Sequence, residues 1–346
     1  MAKWLQSKGF KSRCRCMLLK GMTTVGLWQL RLSVLGTLAI IFGLSTLFFT
    51  AVLFLAFQTI DLMILGIFVV GFNILQWLIS PYLIGAMYRV REVSRSEKPR
   101  LHEMVERLSE KSGLKKPRVM VANIPIPNAF AYGSPIAGTR VAVTSELLST
   151  LDEEELEAVI GHELGHLKHR DVQVMMFVSI LPAIFYYIYI SMFYSSMYRS
   201  RNERGGGGTV AIAFVSLLMY FVLTMFTLYL SRLREYFADR HSASIVDDGQ
   251  RKLSEGLAKI VDYTHKMKHA RRNVGSYSSF KALFISDPDR AEADSSAISQ
   301  AIGYRGDQRL VEEVMGRQVT AADRLAELFS THPNIVKRLR ALKQLP

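Results

Sequence analysis

The chain has 346 residues, of which 49% are hydrophobic, and its formal net charge is +13. Four runs without a charged residue are each longer than the ~20 apolar residues that cross a bilayer as a helix, which excludes an ordinary soluble protein. These runs are residues 32–57, 62–88, 172–198 and 209–231. We therefore predict a mainly α (α+β) fold, that of a multi-pass helical membrane protein.

Positive charge is concentrated on both sides of the first two runs. Residues 1–31 carry seven Lys or Arg and no acid, and residues 89–100 carry five Lys or Arg and two acids. Because basic flanks stay in the cytoplasm, residues 1–31 are predicted to be a cytoplasmic arm, and runs 32–57 and 62–88 a transmembrane hairpin. The basic residues form no stripe with interleaved aromatic residues, which argues against nucleic-acid binding.

The region between the second and third runs is predicted to contain both helix and strand. Residues 101–113 have helical periodicity, and residues 118–122 (RVMVA) and 139–144 (TRVAVT) alternate as short strands do. Residues 124–138, between these strands, are rich in Pro and Gly, which indicates a loop or an edge strand.

The segment LDEEELEAVIGHELGHLKHRD, which starts at Leu151, is predicted to be a helix with Asp152 as its N-cap. His162 and His166 lie four residues apart on one helix face, so both can bind one metal ion. Glu163 can reach a water molecule on that ion without being a ligand. This is the HExxH pattern of zinc peptidases, in which the glutamate is the general base and zinc activates the water. A solvated helix with two surface histidines is the alternative.

A catalytic zinc site of this kind needs a third protein ligand. His169 shares the helix face with His162, but seven residues separate them by ~10.5 Å, too far for one ion. Glu235, on a predicted helix after the fourth run, is the favoured ligand. Asp239, one turn later, is placed to accept a hydrogen bond from a ligand histidine and so set its tautomer. A surface ion pair with a neighbouring arginine is the alternative for both acids.

Two apolar runs separate His166 from Glu235. Two crossings return the chain to the side on which it started, so residues before and after the pair can share one ion. The loop between runs 172–198 and 209–231 is rich in Arg, which is unusual outside the cytoplasm, so these runs could instead form a hairpin that does not fully cross. In that case too, His166 and Glu235 lie on the same side of the membrane. The metal site is therefore predicted at the cytoplasmic surface of the membrane.

With these elements in place, the sequence resembles the HtpX-type membrane metallopeptidases, in the wider family that includes the CAAX prenyl proteases. The resemblance rests on the HExxH segment and on PNAFAYG, SRLREYFADRHSA and STHPNIVKRLRAL, at residues 127–133, 231–243 and 330–342. It implies a zincin-like HExxH protease domain in two parts, residues 89–171 and 232–346, and one Zn²⁺ per chain. The family's third zinc ligand falls on Glu235, in agreement with the choice made from the residues.

The resemblance also implies roles for residues outside the ligand set. Asn128, Ala129 and Phe130 fall on an edge strand that aligns the substrate backbone beside the zinc ion; a Pro-bounded surface turn is the alternative. His332 and Arg338 fall on the pair that stabilises the oxyanion of the tetrahedral intermediate. A His-Pro pair that caps a helix is the alternative for that segment.

The predicted function is that of a zinc endopeptidase in the cell membrane, with its protease domain facing the cytoplasm. By resemblance, its substrates are misfolded membrane proteins, cleaved in quality control under stress. A narrow-specificity processing protease remains an alternative, although the CAAX relatives have more membrane helices. A non-catalytic membrane scaffold with a metal site is the other, and it predicts ionisable residues along an intramembrane path; the four runs contain none. The oligomeric state is left open.

Overall fold

The computed structural model describes residues 62–198, 206–269 and 307–345. The predicted arm and the first apolar run lie outside these ranges. The described strands are β1 (Val90–Glu92), β2 (Arg118–Ala122), β3 (Ala129–Ser134) and β4 (Gly138–Thr144). The described helices are α1 (Leu62–Met87), α2 (Pro99–Ser112), α3 (Ser145–Thr150), α4 (Glu153–Lys168), α5 (Asp171–Tyr198), α6 (Gly206–Ile245), α7 (Gly249–His269), α8 (Asp307–Gly316), α9 (Ala321–Leu328) and α10 (Ile335–Leu342). The prediction of a mainly helical fold with a small sheet is confirmed.

The sheet has four strands in the order β1–β2–β4–β3. Strands β2 and β4 are parallel, and the other two pairs are antiparallel. The apolar side chains of one face, such as Val121 and Val143, join a core with α2 and α4. Those of the other face, such as Met120 and Phe130, pack around Tyr88 at the end of α1. Within the described residues β3 pairs with β4 alone, so the Pro- and Gly-rich stretch predicted as loop or edge strand contains an edge strand.

Helix α4 begins at the predicted cap and lies in the core. Asp152 Oδ1 accepts a hydrogen bond from the Glu155 backbone N–H at 3.0 Å, and Glu155 Oε2 accepts one from the Asp152 N–H at 3.1 Å. This capping box satisfies backbone donors that the first helical turn leaves unpaired. Leu156, Val159 and Ile160, which form the predicted apolar stripe, are at most 7% exposed. The helix that carries the HExxH motif is therefore held at its start and along its buried face.

Helices α5 and α6 are long, apolar and packed against each other. Within the described chain, Asp171–Met197 and Gly208–Ile245 have the length and composition to cross a membrane. They contain the predicted runs 172–198 and 209–231, except for residue 198. Helix α6 continues without a break from its apolar part through Glu235, so the predicted third ligand lies on an extension of an apolar helix.

One hydrophobic core draws on residues before and after these two helices. It includes Leu164 from α4, Leu257 from α7 and Leu339 from α10. Such a shared core is what a protease domain in two parts requires, because each part buries its apolar side chains against the other. The predicted boundaries of that domain, residues 89–171 and 232–346, stay a prediction.

Candidate metal centre

Three predicted ligands converge between α4 and α6. The Nε2 atoms of His162 and His166 are 3.1 Å apart, and each lies 3.6 Å from a carboxylate oxygen of Glu235. Their candidate ligand atoms all lie within 4.8 Å of one another. Glu235 Oε2 is buried and accepts no hydrogen bond within the described residues. Two imidazoles and a carboxylate are a donor set that catalytic zinc takes, so these residues fit the predicted ion.

Two glycines bring α4 close to α6. A Cβ on Gly165 would lie 2.9 Å from Ala238 Cα, and a Cβ on Gly161 would lie 3.0 Å from Ser242 Oγ. Across the same contact, Ser242 Oγ donates a hydrogen bond to the Ala158 carbonyl at 2.6 Å. Side chains at the two glycines would push the helices apart. The glycines beside the two histidines therefore set the distance to the ligand on α6.

Each histidine has a carboxylate behind it. His162 Nδ1 lies 2.9 Å from Asp239 Oδ1, on the turn of α6 that follows Glu235. His166 Nδ1 donates a hydrogen bond to Asp171 Oδ2 at 2.6 Å. A carboxylate on Nδ1 places the proton there and leaves Nε2 free to bind a metal. The placement of Asp239 is the one predicted from the sequence.

Asp171 is a site residue that the sequence analysis did not identify. It is 3% exposed and is the first residue of α5. Arg170, just before it, has a φ of 55°, and this left-handed residue turns the chain between α4 and α5. Asp171 Oδ2 also lies 3.2 Å from Arg234 Nε. An acid five residues after His166, at a break between two helices, was the only signal for it in the sequence.

Arg338 is buried behind the ligands. Its Nε and Nη2 donate hydrogen bonds to the two oxygens of Asp239 at 2.7 and 2.6 Å, and its Nη1 lies 3.2 Å from Glu235 Oε2. Burial alone would lower the pKa of this guanidinium, but the two carboxylates raise it, so Arg338 stays charged. These contacts orient the acids behind and within the ligand set. The predicted contact of Arg338 with an oxyanion stays a prediction.

His332 approaches the ligands from the loop before α10. Its Nδ1 lies 3.3 Å from Glu235 Oε2, and neither ring nitrogen has a hydrogen-bond partner within the described residues. Asn334, whose Oδ1 accepts from the Val336 N–H at 2.9 Å, is the N-cap of α10. The helix-capping alternative for His332 is therefore wrong. Its role with the oxyanion stays a prediction.

Glu163 lies between the ligand helix and the sheet edge. Its Oε2 accepts a hydrogen bond from the Ala131 backbone N–H of β3 at 2.8 Å. The side chain is 4% exposed, and this burial raises the pKa of the carboxyl above its usual range, although His162 and His166 act in the opposite direction. A carboxylate with a raised pKa is a stronger base, which suits proton transfer near neutral pH.

Asn128, Ala129 and Phe130 lie at the start of the edge strand. Each is at most 2% exposed, and the Phe130 ring packs against the rings of Tyr88 and Tyr132 at centroid distances of 5.5 Å. The surface-turn alternative is wrong, because this segment enters a paired strand. Its side chains belong to the core, so a contact with substrate would use the backbone. That contact stays a prediction.

The alternatives set aside in the sequence analysis lie elsewhere. His169 is at the end of α4, with its ring 5.6 Å from that of Phe237, and it is not among the residues that converge on the metal position. Glu235 and Asp239 are 4% and 2% exposed, which rules out a surface ion pair. Arg232, one possible partner, instead donates hydrogen bonds to the backbone carbonyls of Glu327, in the last turn of α9, and Ser330, just after that helix.

Comparisons with known proteins find relatives over most of the chain. A model of the family described as Peptidase family M48 matches residues 95–345. A protein named Protease HtpX homolog from Thermoplasma acidophilum is 36% identical over 289 residues, which cover 82% of this chain and 85% of the relative. Relatives of the same name from Aeropyrum pernix and Pyrobaculum calidifontis are 38% and 40% identical, covering 81% of this chain and 85% and 76% of the relatives.

The fold is also similar to a solved structure. The crystal structure of S. mikatae Ste24p superposes with a TM-score of 0.52 at 16% sequence identity. The match covers 90% of this chain, which spans 65% of the length of that structure. At this identity the likeness concerns the fold alone. The family match covers most of the chain, and the predicted resemblance is confirmed: the chain belongs to peptidase family M48.

Proposed function

We propose that this member of family M48 is a membrane-anchored, zinc-dependent endopeptidase with Glu163 as its general base. The observation that carries the proposal is the convergence of His162, His166 and Glu235 from two helices, with Glu163 beside them. Residues that merely filled a core would not bring three metal-binding groups, two of them buried, within 4.8 Å. The family of metallopeptidases to which the chain belongs supports the same chemistry.

Each residue around the ligands is assigned a distinct role in the proposed reaction. A zinc ion held by the three ligands would polarise the scissile carbonyl and lower the pKa of a water molecule. Glu163 would accept a proton from the attacking water and pass it to the leaving amine. Since Oε2 accepts the Ala131 N–H, Oε1 is the oxygen assigned to this transfer. His332 would donate to the developing oxyanion, and Arg338 would act by holding Asp239 and Glu235 in place.

The outer edge of β3 is proposed to bind the substrate backbone. The Asn128 carbonyl accepts a hydrogen bond from the Thr144 N–H at 2.9 Å, so Asn128 faces β4. By alternation along the strand, Ala129, Ala131 and Gly133 turn their backbone groups to the outer edge. The Ala131 N–H is the one that contacts the general base. An extended polypeptide added at this edge would pass directly beside the catalytic carboxylate.

Membrane anchoring and orientation belong to the same proposal. The ligands His166 and Glu235 are separated by α5 and by the apolar part of α6, so two crossings would return both to one surface. The basic flanks of the first two runs place that surface in the cytoplasm. The substrates proposed, on the resemblance to HtpX-type proteases, are misfolded membrane proteins cleaved in quality control.

The test is cleavage of an unfolded model protein by the full chain purified in detergent, with bound zinc measured in parallel. Wild type and Glu163→Gln are compared, because this change removes the base and keeps the three ligands. We expect one zinc ion per chain in both proteins and cleavage by wild type only. Full activity of Glu163→Gln would refute the assigned base. Stoichiometric zinc without cleavage by either protein would refute broad endopeptidase activity.

A further inference from the structure

Arg140 is a charged residue that the metal centre does not use. It lies on β4, opposite Tyr132 of β3, with its guanidinium carbon 5.8 Å from the ring centres of both Tyr132 and Tyr82. Within the described residues, its Nε is buried and has no hydrogen-bond partner. An unpaired buried donor on a charged group is costly. Arg140 therefore lies between two tyrosines and keeps a hydrogen-bond donor that an anion could use.

The neighbouring arginine shows the contrast. Arg118 is the residue opposite Arg140 on β2, and its guanidinium lies 3.8 Å from the Glu92 carboxylate. No carboxylate of the described chain lies within 4.0 Å of the Arg140 guanidinium. Two arginines side by side on one face of a sheet repel each other. Because Glu92 lies beside Arg118, the positive charge on this face that has no neighbouring carboxylate in the described chain is that of Arg140.

The surroundings of Arg140 are apolar on the side of α1. Ser134 Oγ donates a hydrogen bond to the Leu78 carbonyl, which ties the β3–β4 hairpin to this helix. Ile136, in the turn of the hairpin, is 67% exposed, and Leu75 and Leu83 of α1 are 53% and 52% exposed. Helix α1 has no charged residue over its 26 residues. A hairpin turn and an uncharged helix thus present apolar side chains together, and Arg140 lies beside them.

We propose that Arg140, between Tyr82 and Tyr132, binds the phosphate group of an anionic phospholipid and so seats the β3–β4 hairpin on the bilayer. A guanidinium can donate two parallel hydrogen bonds to a phosphate, and its contact with tyrosine faces is favourable. Tyrosine is common at the level of lipid headgroups. In this arrangement Ile136 inserts among the acyl chains below the phosphate.

The lipid contact has a consequence for the strand that carries it. Tyr132 belongs to β3, one residue after Ala131, whose N–H contacts Glu163. A phosphate bound at Arg140 would hold this strand at a fixed height relative to the membrane surface. The inference goes beyond the proposed peptidase activity and does not depend on it, because lipid binding is measured without substrate or metal.

Trp77 provides a probe in the full chain. The protein has three tryptophans, and Trp4→Phe with Trp28→Phe leaves Trp77 alone. It precedes Tyr82 by five residues, about 7.5 Å along the helix. The detergent-purified variant is titrated with phosphatidylglycerol or phosphatidylcholine, both brominated on the acyl chains, and quenching of Trp77 fluorescence is recorded.

We expect phosphatidylglycerol to reach half-maximal quenching at a lipid fraction about fivefold lower than phosphatidylcholine. In the same background, Arg140→Gln should remove this preference, and Arg140→Lys should keep part of it. Arg118→Gln, the matched change on the neighbouring strand, should leave it intact.

Equal quenching by the two lipids would overturn the proposal, and so would a preference that survives Arg140→Gln. If millimolar inorganic phosphate abolished the preference, the site would take free phosphate, and the seating of the hairpin on the bilayer would be refuted. Thermal unfolding of each variant separates loss of binding from loss of fold, and Arg140→Lys keeps the test valid if Arg140→Gln does not fold.

Discussion

The two histidines proposed as zinc ligands are supported in different ways. On the His162 side, the ring is 1% exposed, and the carboxylate behind it is fixed by two hydrogen bonds from Arg338. On the His166 side, the ring is 14% exposed, and its carboxylate is approached by one arginine nitrogen, that of Arg234, at 3.2 Å. The His162 side of the centre is therefore enclosed in the core, whereas the His166 side is partly exposed to solvent.

The origin of the supporting residues differs as well. Asp239 is held by Arg338 from α10, far along the chain. Asp171 is the first residue of α5, and Arg234 lies where α6 leaves its apolar part. The His166 side is thus built from the ends of the two long apolar helices. Because Asp239 is held by an arginine from α10 and Asp171 by one from α6, the two sides should respond unequally to substitutions, and the following predictions measure that inequality.

The largest effect is expected for Arg338→Met. Removing this guanidinium leaves Asp239 and Glu235 buried without their cation, which costs about 3–5 kcal/mol of folding free energy. Arg234→Met, the counterpart on the other side, removes one contact with Asp171, and that carboxylate keeps its hydrogen bond from His166. The loss should therefore be smaller, about 1.5–3 kcal/mol. Denaturant unfolding and zinc content of both variants give the comparison.

Lys343→Met is the matched control. It removes one positive charge from an exposed position just after α10, the helix that carries Arg338. It should change the free energy of unfolding by less than about 0.5 kcal/mol. Equal losses of unfolding free energy for Arg338→Met and Arg234→Met would contradict the inference that the His162 side is enclosed and the His166 side is partly exposed.

The second effect is on zinc affinity. Asp239→Asn and Asp171→Asn each weaken the acceptor on a ligand histidine, a change that typically lowers metal affinity by about 10–100-fold. We expect Asp239→Asn at the upper end, because it also takes a carboxylate from Arg338, and Asp171→Asn at the lower end. Competition with a chelator measures both dissociation constants.

Asp171 acts through His166, so its effect should appear in kcat more than in KM at saturating zinc. Asp171→Glu, which keeps the charge, should restore part of the loss. A variant Asp171→Asn with unchanged zinc affinity and unchanged kcat would show that the acid only anchors the start of α5.

The third set of effects is expected at the two glycines. At Gly165 an added Cβ meets backbone, Ala238 Cα at 2.9 Å, whereas at Gly161 it meets the side chains of Ser242 and Val246 at 3.0 and 3.1 Å. Gly165→Ala should therefore lower the free energy of unfolding by about 1–3 kcal/mol and Gly161→Ala by less, since side chains yield more easily than backbone.

Gly85→Ala is the control for these changes, because a Cβ there meets nothing within 4 Å. Thermal unfolding and zinc stoichiometry of the three variants are compared. A larger cost at Gly161 than at Gly165 would mean that the contact between α4 and α6 is tighter on the His162 side than the structure indicates.

Several features of the centre could be predicted from the sequence, because they depend on residues close together in the chain. Helical spacing places His162 and His166 on one face, and Asp152 caps the helix that carries them. Strand β2 has the predicted bounds, residues 118–122. The acids Glu235 and Asp239 are four residues apart, so their shared face also follows from helical geometry.

Other features depend on tertiary contacts. The role of Arg338 is set by Asp239, 99 residues earlier, and the contact of Glu163 with β3 joins residues 32 apart. Asp171 reaches His166 because a left-handed residue turns the chain between two helices. No periodic pattern encodes such contacts.

The sequence by itself determined which residues are candidate ligands and which helix faces they share, since these depend on spacing within each of two segments. It also determined the family, since four short motifs keep their order along the chain. Only the tertiary structure decided which arginine holds which acid, how closely α4 and α6 approach, and that the edge strand meets the Glu163 carboxylate. The physical reason is that periodicity acts over a few helical turns, whereas packing and charge pairing join segments that the chain separates by tens to more than a hundred residues.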